Sequence, residues 1–116
     1  MGQFIDDNQL QTALEGVLKV ASGTLTNNAP VWQPVITQAN AQAYARIVES
    51  FLERGFTAAQ IAQWDYGVNY ETMIGLYYAL ILGAGYHDHD DEYIAQYKHY
   101  YDHLPDAMLV INGTIT

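Results

Sequence analysis

The chain has 116 residues, half of them apolar, and sets thirteen carboxylates against four cations, Lys19, Arg46, Arg54 and Lys98. That length fits one domain with a real core, and the apolar content argues against disorder along the whole chain. The charge balance argues against wrapping a phosphate backbone or clinging to an anionic membrane, since both need clustered Lys and Arg. With no cysteine, disulfides and thiolate chemistry are excluded.

The opening Met1-Gly2-Gln3-Phe4-Ile5-Asp6 has neither a basic start nor an apolar signal core, so no export is expected. Asp6 also stands where a myristoylation motif wants Ser or Thr. A first helix is predicted from Asp6 or Asp7. Asp6 with Gln9 has the pattern of a capping box, and Ile5 is placed to staple to Leu10. Leu10, Leu14, Val17, Leu18 and Ala21 recur at helical spacing, and Gly23 is the expected left-handed stop.

Residues 22–36 read as a long loop. Asn27-Asn28-Ala29-Pro30 and Gln33-Pro34 punctuate it, and the residue before each proline is pushed away from helix. Its apolar groups, Leu25, Val31, Trp32, Val35 and Ile36, are unusual for a loop. Two readings stand side by side: a loop folded back on its own core, or an arm reaching another subunit. On the second, Leu25, Val31 and Trp32 are interface candidates.

The next helix has Thr37 as a cap and Tyr44, Ile47, Val48, Phe51 and Leu52 as an apolar stripe, with Arg46, Glu49, Ser50 and Glu53 facing away and Gly55 beyond its end. Thr57-Ala58-Ala59-Gln60 forms a second capping box, with Phe56 stapling to Ile61, and starts a short helix running to about Asp65. Gly67 breaks it. Asn69 is the expected cap of a longer helix through Met73, Ile74, Leu76, Tyr77, Tyr78, Leu80, Ile81 and Leu82. That helix is apolar nearly all round, so it is either central or covered by a neighbouring chain. Its apolar run, Met73 to Ala84, is too short to span a bilayer.

His87-Asp88-His89-Asp90-Asp91-Glu92 reads as a turn into a helix start, where acids suit the dipole. The last helix carries Tyr93, Tyr97, Tyr100, Tyr101 and Leu104 and stops at Pro105. The tail changes character: Asn112-Gly113 between β-branched residues is a hairpin signal. An isolated hairpin is marginal in water, so it needs its own domain or a partner's sheet edge to lean on. Leu109, Val110, Ile111 and Ile115 are therefore interface candidates. The fold expected is mainly α: a small bundle of four to five helices over residues 1–106, with a long loop after the first helix, and an extended or β-hairpin tail over 107–116.

No constellation amounts to an active site, so no enzyme and no cofactor are expected. His99 and His103 sit four apart on one helix face, and imidazoles so spaced can share a metal, with His87 or His89 as a third ligand. The pattern lacks the Glu of a zinc-protease motif, and Asp88, Asp90 and Asp91 do not follow a calcium loop. Solvated polar groups are the preferred reading there. Adjacent Asp90 and Asp91 point about 100° apart on a helix, which suits capping better than paired acid–base work. No phosphate loop follows a strand, and Ser22 and Ser50 have no nucleophile motif around them. Ten tyrosines exceed what a small core needs. Tyr97 and Tyr101 are interface candidates among them, because tyrosine joins apolar bulk to a polar tip.

From residue 40 to about 104 the order of features resembles the small head–tail connector (adaptor, or head-completion) proteins of tailed bacteriophages. The residues that carry the resemblance are Phe51-Leu52-Glu53-Arg54-Gly55-Phe56-Thr57-Ala58-Ala59-Gln60-Ile61, Trp64-Asp65, Tyr77-Tyr78-Ala79-Leu80, Gly83-Ala84-Gly85 and the Asp90-Asp91 turn. The resemblance implies a virion structural protein of the neck, made in the host cytoplasm, assembled as a homo-oligomeric ring of about twelve copies. It implies a portal protein above, tail or nozzle proteins below, and double-stranded DNA passing through without specific binding. It implies no cofactor, no turnover and no membrane. An acidic channel wall would repel the phosphates and let the duplex slide. The residues alone leave a second class open, a small metal- or ligand-binding helical protein using His87, His89, His99 and His103.

Overall fold

A computed structural model describes residues 4–27, 29–86 and 91–116. In chain order these form α1 (Asp7–Leu18), α2 (Thr24–Asn27), α3 (Ala29–Glu53), α4 (Ala58–Ala62), α5 (Gly67–Leu82), α6 (Asp91–His103), β1 (Val110–Ile111) and β2 (Thr114–Ile115). Short 3-10 turns follow α5 at Ala84–Tyr86 and α6 at Leu104–Asp106. The fold is a small, mainly helical bundle with a C-terminal hairpin.

The centre of the bundle is the α3–α5 pair, with α1 packed on both and α6 on α5. The core has two adjoining halves. One joins Leu10, Leu14, Trp32, Ile36, Leu76 and Leu80. The other joins Ile47, Phe51, Ile61, Trp64, Ile74, Leu104 and Leu109, with Tyr78 packed against both. The helix that is apolar nearly all round is thus central within its own chain.

Both capping boxes form. Asp6 accepts the Gln9 N–H while Gln9 accepts the Asp6 N–H, and Thr57 and Gln60 do the same. Gly55 ends α3 at φ 93°, with Gly55 N–H donating to Leu52 O and Phe56 N–H to Phe51 O, the paired bonds of a Schellman stop. Asn112 and Gly113 take φ 52° and 78°, which makes the two-residue hairpin turn type I′.

Most of the expected loop over 22–36 is helical instead. After Gly23 the chain enters α2, and α3 begins at Ala29, so it is 25 residues long and Pro34 lies inside it. Pro30 falls in the first turn, where a missing N–H is harmless. Pro34 removes one helix bond, a penalty of about 3 kcal/mol. Against it stand Trp32, Ile36 and Ala39, 4%, 0% and 0% exposed. Burying two large side chains is worth about 1.5–3 kcal/mol each, so packing outweighs the proline. Thr37, expected as a cap, is consequently interior to α3, and its hydroxyl donates to Asp7 Oδ2 at 2.9 Å.

Other boundaries shift for similar reasons. α1 stops at Leu18, and its left-handed stop is Lys19 at φ 58°; Gly23, at φ 87°, comes four residues later, just ahead of α2. The short helix ends at Ala62 rather than near Asp65. α5 starts at Gly67, two residues before the expected cap Asn69, and without a side-chain cap. Gly67 opens this helix rather than breaking one, and the Phe4 ring lies so close that it occupies the space of a Cβ there. Ser50 is buried and Leu52 is 49% exposed, the reverse of their expected faces.

Candidate functional site

The C-terminal hairpin is held by its own chain. β1 and β2 pair antiparallel, Val110 opposite Ile115 and Ile111 opposite Thr114. The segment between α4 and α5 grips them. Trp64 Nε1 donates to Met108 O at 3.0 Å, and Asp65 N–H donates to Val110 O at 2.8 Å. The Asp65 carboxylate accepts the Asn112 and Gly113 N–H groups of the turn at 2.9 and 2.7 Å. Beneath, Leu109 is 1% exposed in the core. Of the two supports considered for the hairpin, its own domain provides one.

A second grip acts at the other end of the chain. Glu71, fully buried on α5, accepts the Phe4 and Ile5 N–H groups at 3.1 and 3.0 Å. Asn40 of α3, also buried, donates from Nδ2 to Ile5 O and to Asp7 Oδ1, while its own Oδ1 has no partner among the described residues. Burial pushes the Glu71 carboxyl up to about 7; the two backbone bonds oppose this and nearby Asp7 adds to it. Burial, and then Glu71 itself, raise Tyr44 above its usual value. Glu15 repeats the device in smaller form: it is buried and accepts the Leu25 N–H at 3.1 Å.

The third fixed group is Arg54, just past α3. It donates from Nε to Ser50 O, from Nη1 to Ala107 O, and from Nη2 to Ser50 Oγ and Leu104 O. Its Cζ lies 4.2 Å from the centre of the Phe51 ring. Burial lowers its pKa and Asp106 partly offsets this.

Compared with protein-family models, curated proteins and solved structures, the chain matches none. What it can do is therefore read from its own side chains. Among the interface candidates, Leu25, Trp32 and Leu109 belong to the chain's own core. Trp32 lies against Gly83, where an added Cβ would come within 2.7 Å of its ring. Tyr97 packs against the α1-side core and Tyr101 against the Phe51 side, both partly buried. Val110 and Ile111 are half-buried. Val31 is 38% and Ile115 62% exposed. Reasoning from the sequence missed Met108, 61% exposed beside Ile115, and Val68, which stands out from α5.

Several of the tyrosines gather in two aromatic groups. Tyr101 meets Tyr77 and Tyr78 with ring centres 5.4 and 5.9 Å apart, and Tyr70 meets Tyr100 and Trp64. Burial raises Tyr70 and Tyr78 above their usual value, each with help from a neighbouring tyrosine. Of the histidine cluster, His87 and His89 lie outside the described residues. His99 and His103 stack ring on ring, 4.0 Å between centres, and His103 Nδ1 is bonded to His99 O at 2.8 Å. That bond leaves His103 only Nε2 for a metal. Among the described residues no three candidate ligands converge, and no helix is long and apolar enough to cross a membrane.

Glu71 and Asp65 were both overlooked in sequence reasoning. Glu71 had a signal, as the lone charge in the helix Gly67–Leu82. Asp65 had none, since its partners lie 47 and 48 residues away.

Proposed function

We propose that this chain is a structural assembly subunit, a head–tail connector that forms a ring between a portal and a tail and lets the genome pass. The observation that carries the reading is the hairpin. Met108 and Ile115 stand about three-fifths exposed on a segment whose backbone is fixed by Trp64, Asp65 and Leu109. Apolar side chains on a backbone already held in place lose little freedom when a partner covers them, which favours protein–protein contact. Val68, Ile81 and Leu82 expose further apolar surface along α5. The net charge of −9 suits a wall past which DNA slides, provided the acids lie away from subunit contacts.

The test is mass photometry of the purified chain, alone and mixed with a purified phage portal protein. A discrete ring-sized complex is expected, and it should be lost in the Met108→Glu, Ile115→Glu double variant while that variant melts as the parent does. A chain that stays monomeric and ignores the portal overturns the reading.

A further inference from the structure

The two arginines of this acidic chain line one cleft. Arg46, Ser50, Glu53, Arg54 and Pro105 surround an open space of about 190 Å³ between the end of α3 and the turn after α6. That is several times the roughly 30 Å³ that a water occupies in the liquid. Thirteen carboxylates are available to neutralise four cations. Yet among the described residues neither guanidinium lies within 4.0 Å of one, and the ion pair that does form is Lys98–Asp102.

The two guanidiniums are held in place by groups that do not cancel their charge. Four donors of Arg54 go to neutral acceptors, three carbonyls and the Ser50 hydroxyl. Arg46 lies over Tyr101, Cζ 4.8 Å from the ring centre, a contact that orients a cation without neutralising it. Its Nε is buried and has no hydrogen-bond partner among the described residues. Ser50 Oγ accepts from Arg54, so its own proton is left to donate. Glu53 works against an anion here, as does Asp106, whose charge is felt by Arg54.

We propose that this cleft binds an oxyanion, a phosphate or carboxylate group, with Arg46 supplying free N–H donors, Arg54 a fixed positive charge and Ser50 a hydroxyl. Planar guanidiniums suit such groups because they bind two oxygens at once. The oxyanion comes either from a free phosphate ion or from an Asp or Glu side chain of a second copy. The site does not depend on the connector reading, and a chain that ignores every portal could still carry it.

The experiment is an NMR titration of the full chain with sodium phosphate, matched at each step by sodium chloride of equal ionic strength. The Arg46 and Arg54 Nε–H signals are followed, together with particle size. Saturable shifts with phosphate alone are expected. Arg46→Gln should weaken binding about tenfold or more, Arg46→Lys less, and Glu53→Gln should tighten it. Arg46 is chosen over Arg54 because Arg54 also ties the chain together, and an unchanged melting curve for Arg46→Gln verifies its fold. Saturation by a chain that is monomeric throughout assigns the free ion. Phosphate dissociating an oligomer, with the effect lost in Arg46→Gln, assigns a second copy's carboxylate. Shifts that chloride reproduces, or that Arg46→Gln leaves intact, overturn the proposal.

Discussion

The two ends of the described chain are fastened by the same device in opposite surroundings. At one end the Glu71 carboxylate accepts two consecutive backbone N–H groups, those of Phe4 and Ile5. At the other the Asp65 carboxylate accepts the consecutive N–H groups of Asn112 and Gly113. Glu71 is fully buried, whereas Asp65 is exposed. Equal hydrogen bonding therefore leads to unequal consequences. Water can replace the Asp65 bonds if they are lost, but nothing can replace those of Glu71. Burial also disfavours the charged form of Glu71, which two bonds do not fully offset.

The largest effect that would break the comparison is at the buried end. Glu71→Ala leaves the Phe4 and Ile5 N–H groups unpaired and opens a void, and should lower stability by about 3 kcal/mol in denaturant unfolding. Asp65→Ala, with the same number of bonds removed, should lower it by only about 1 kcal/mol. Equal losses at the two ends would show that burial is not what separates them.

The pH response sharpens the contrast next. Glu71 has a folded pKa of about 7 against an ordinary value of 4.5, so the folded chain holds this proton more tightly than the unfolded one. Its contribution to stability is thus greatest below pH 4.5 and declines as pH rises toward 7, by up to about 3 kcal/mol. Glu71→Gln should flatten that part of the profile, and the difference between the two melting curves at pH 5 and pH 8 measures it. A parent and variant with parallel profiles would refute the assignment.

The hairpin itself has an apolar and a polar anchor that can be separated. Leu109→Ala should cost about 2–3 kcal/mol, because a side chain 1% exposed leaves a void in the core. Asp65→Asn keeps the shape and removes the charge. Its smaller effect is best read locally, as faster amide exchange at Asn112 and Gly113 with Phe4 and Ile5 unchanged. Exchange that quickens at both ends together would mean that the two fastenings are coupled.

Much of this was legible before any coordinates. The capping boxes at Asp6 and Thr57, the glycine stop at Gly55 and the Asn112-Gly113 turn all formed as read, because each is settled within a few residues. The first part of α3, residues 29–36, was not, although its signal was present: Trp32, Ile36, Ala39, Ala43 and Ile47 already carry the helical period across Pro34. The proline was given more weight than the burial. The cleft between Arg46 and Arg54 was invisible for another reason. Both arginines lie in one stretch of sequence, but the turn at Leu104–Asp106 that closes the cleft comes about fifty residues later.

The sequence by itself determined the helical class, the acidic balance, the two capping boxes and the turn, since these depend on spacing, composition and short-range bonds. Only the tertiary structure decided that Pro34 would be absorbed into a helix, that Leu25, Trp32 and Leu109 would face inward, and that Glu71 and Asp65 would fasten the two ends. Those outcomes turn on which groups are removed from water, and that is set by partners distant in the chain.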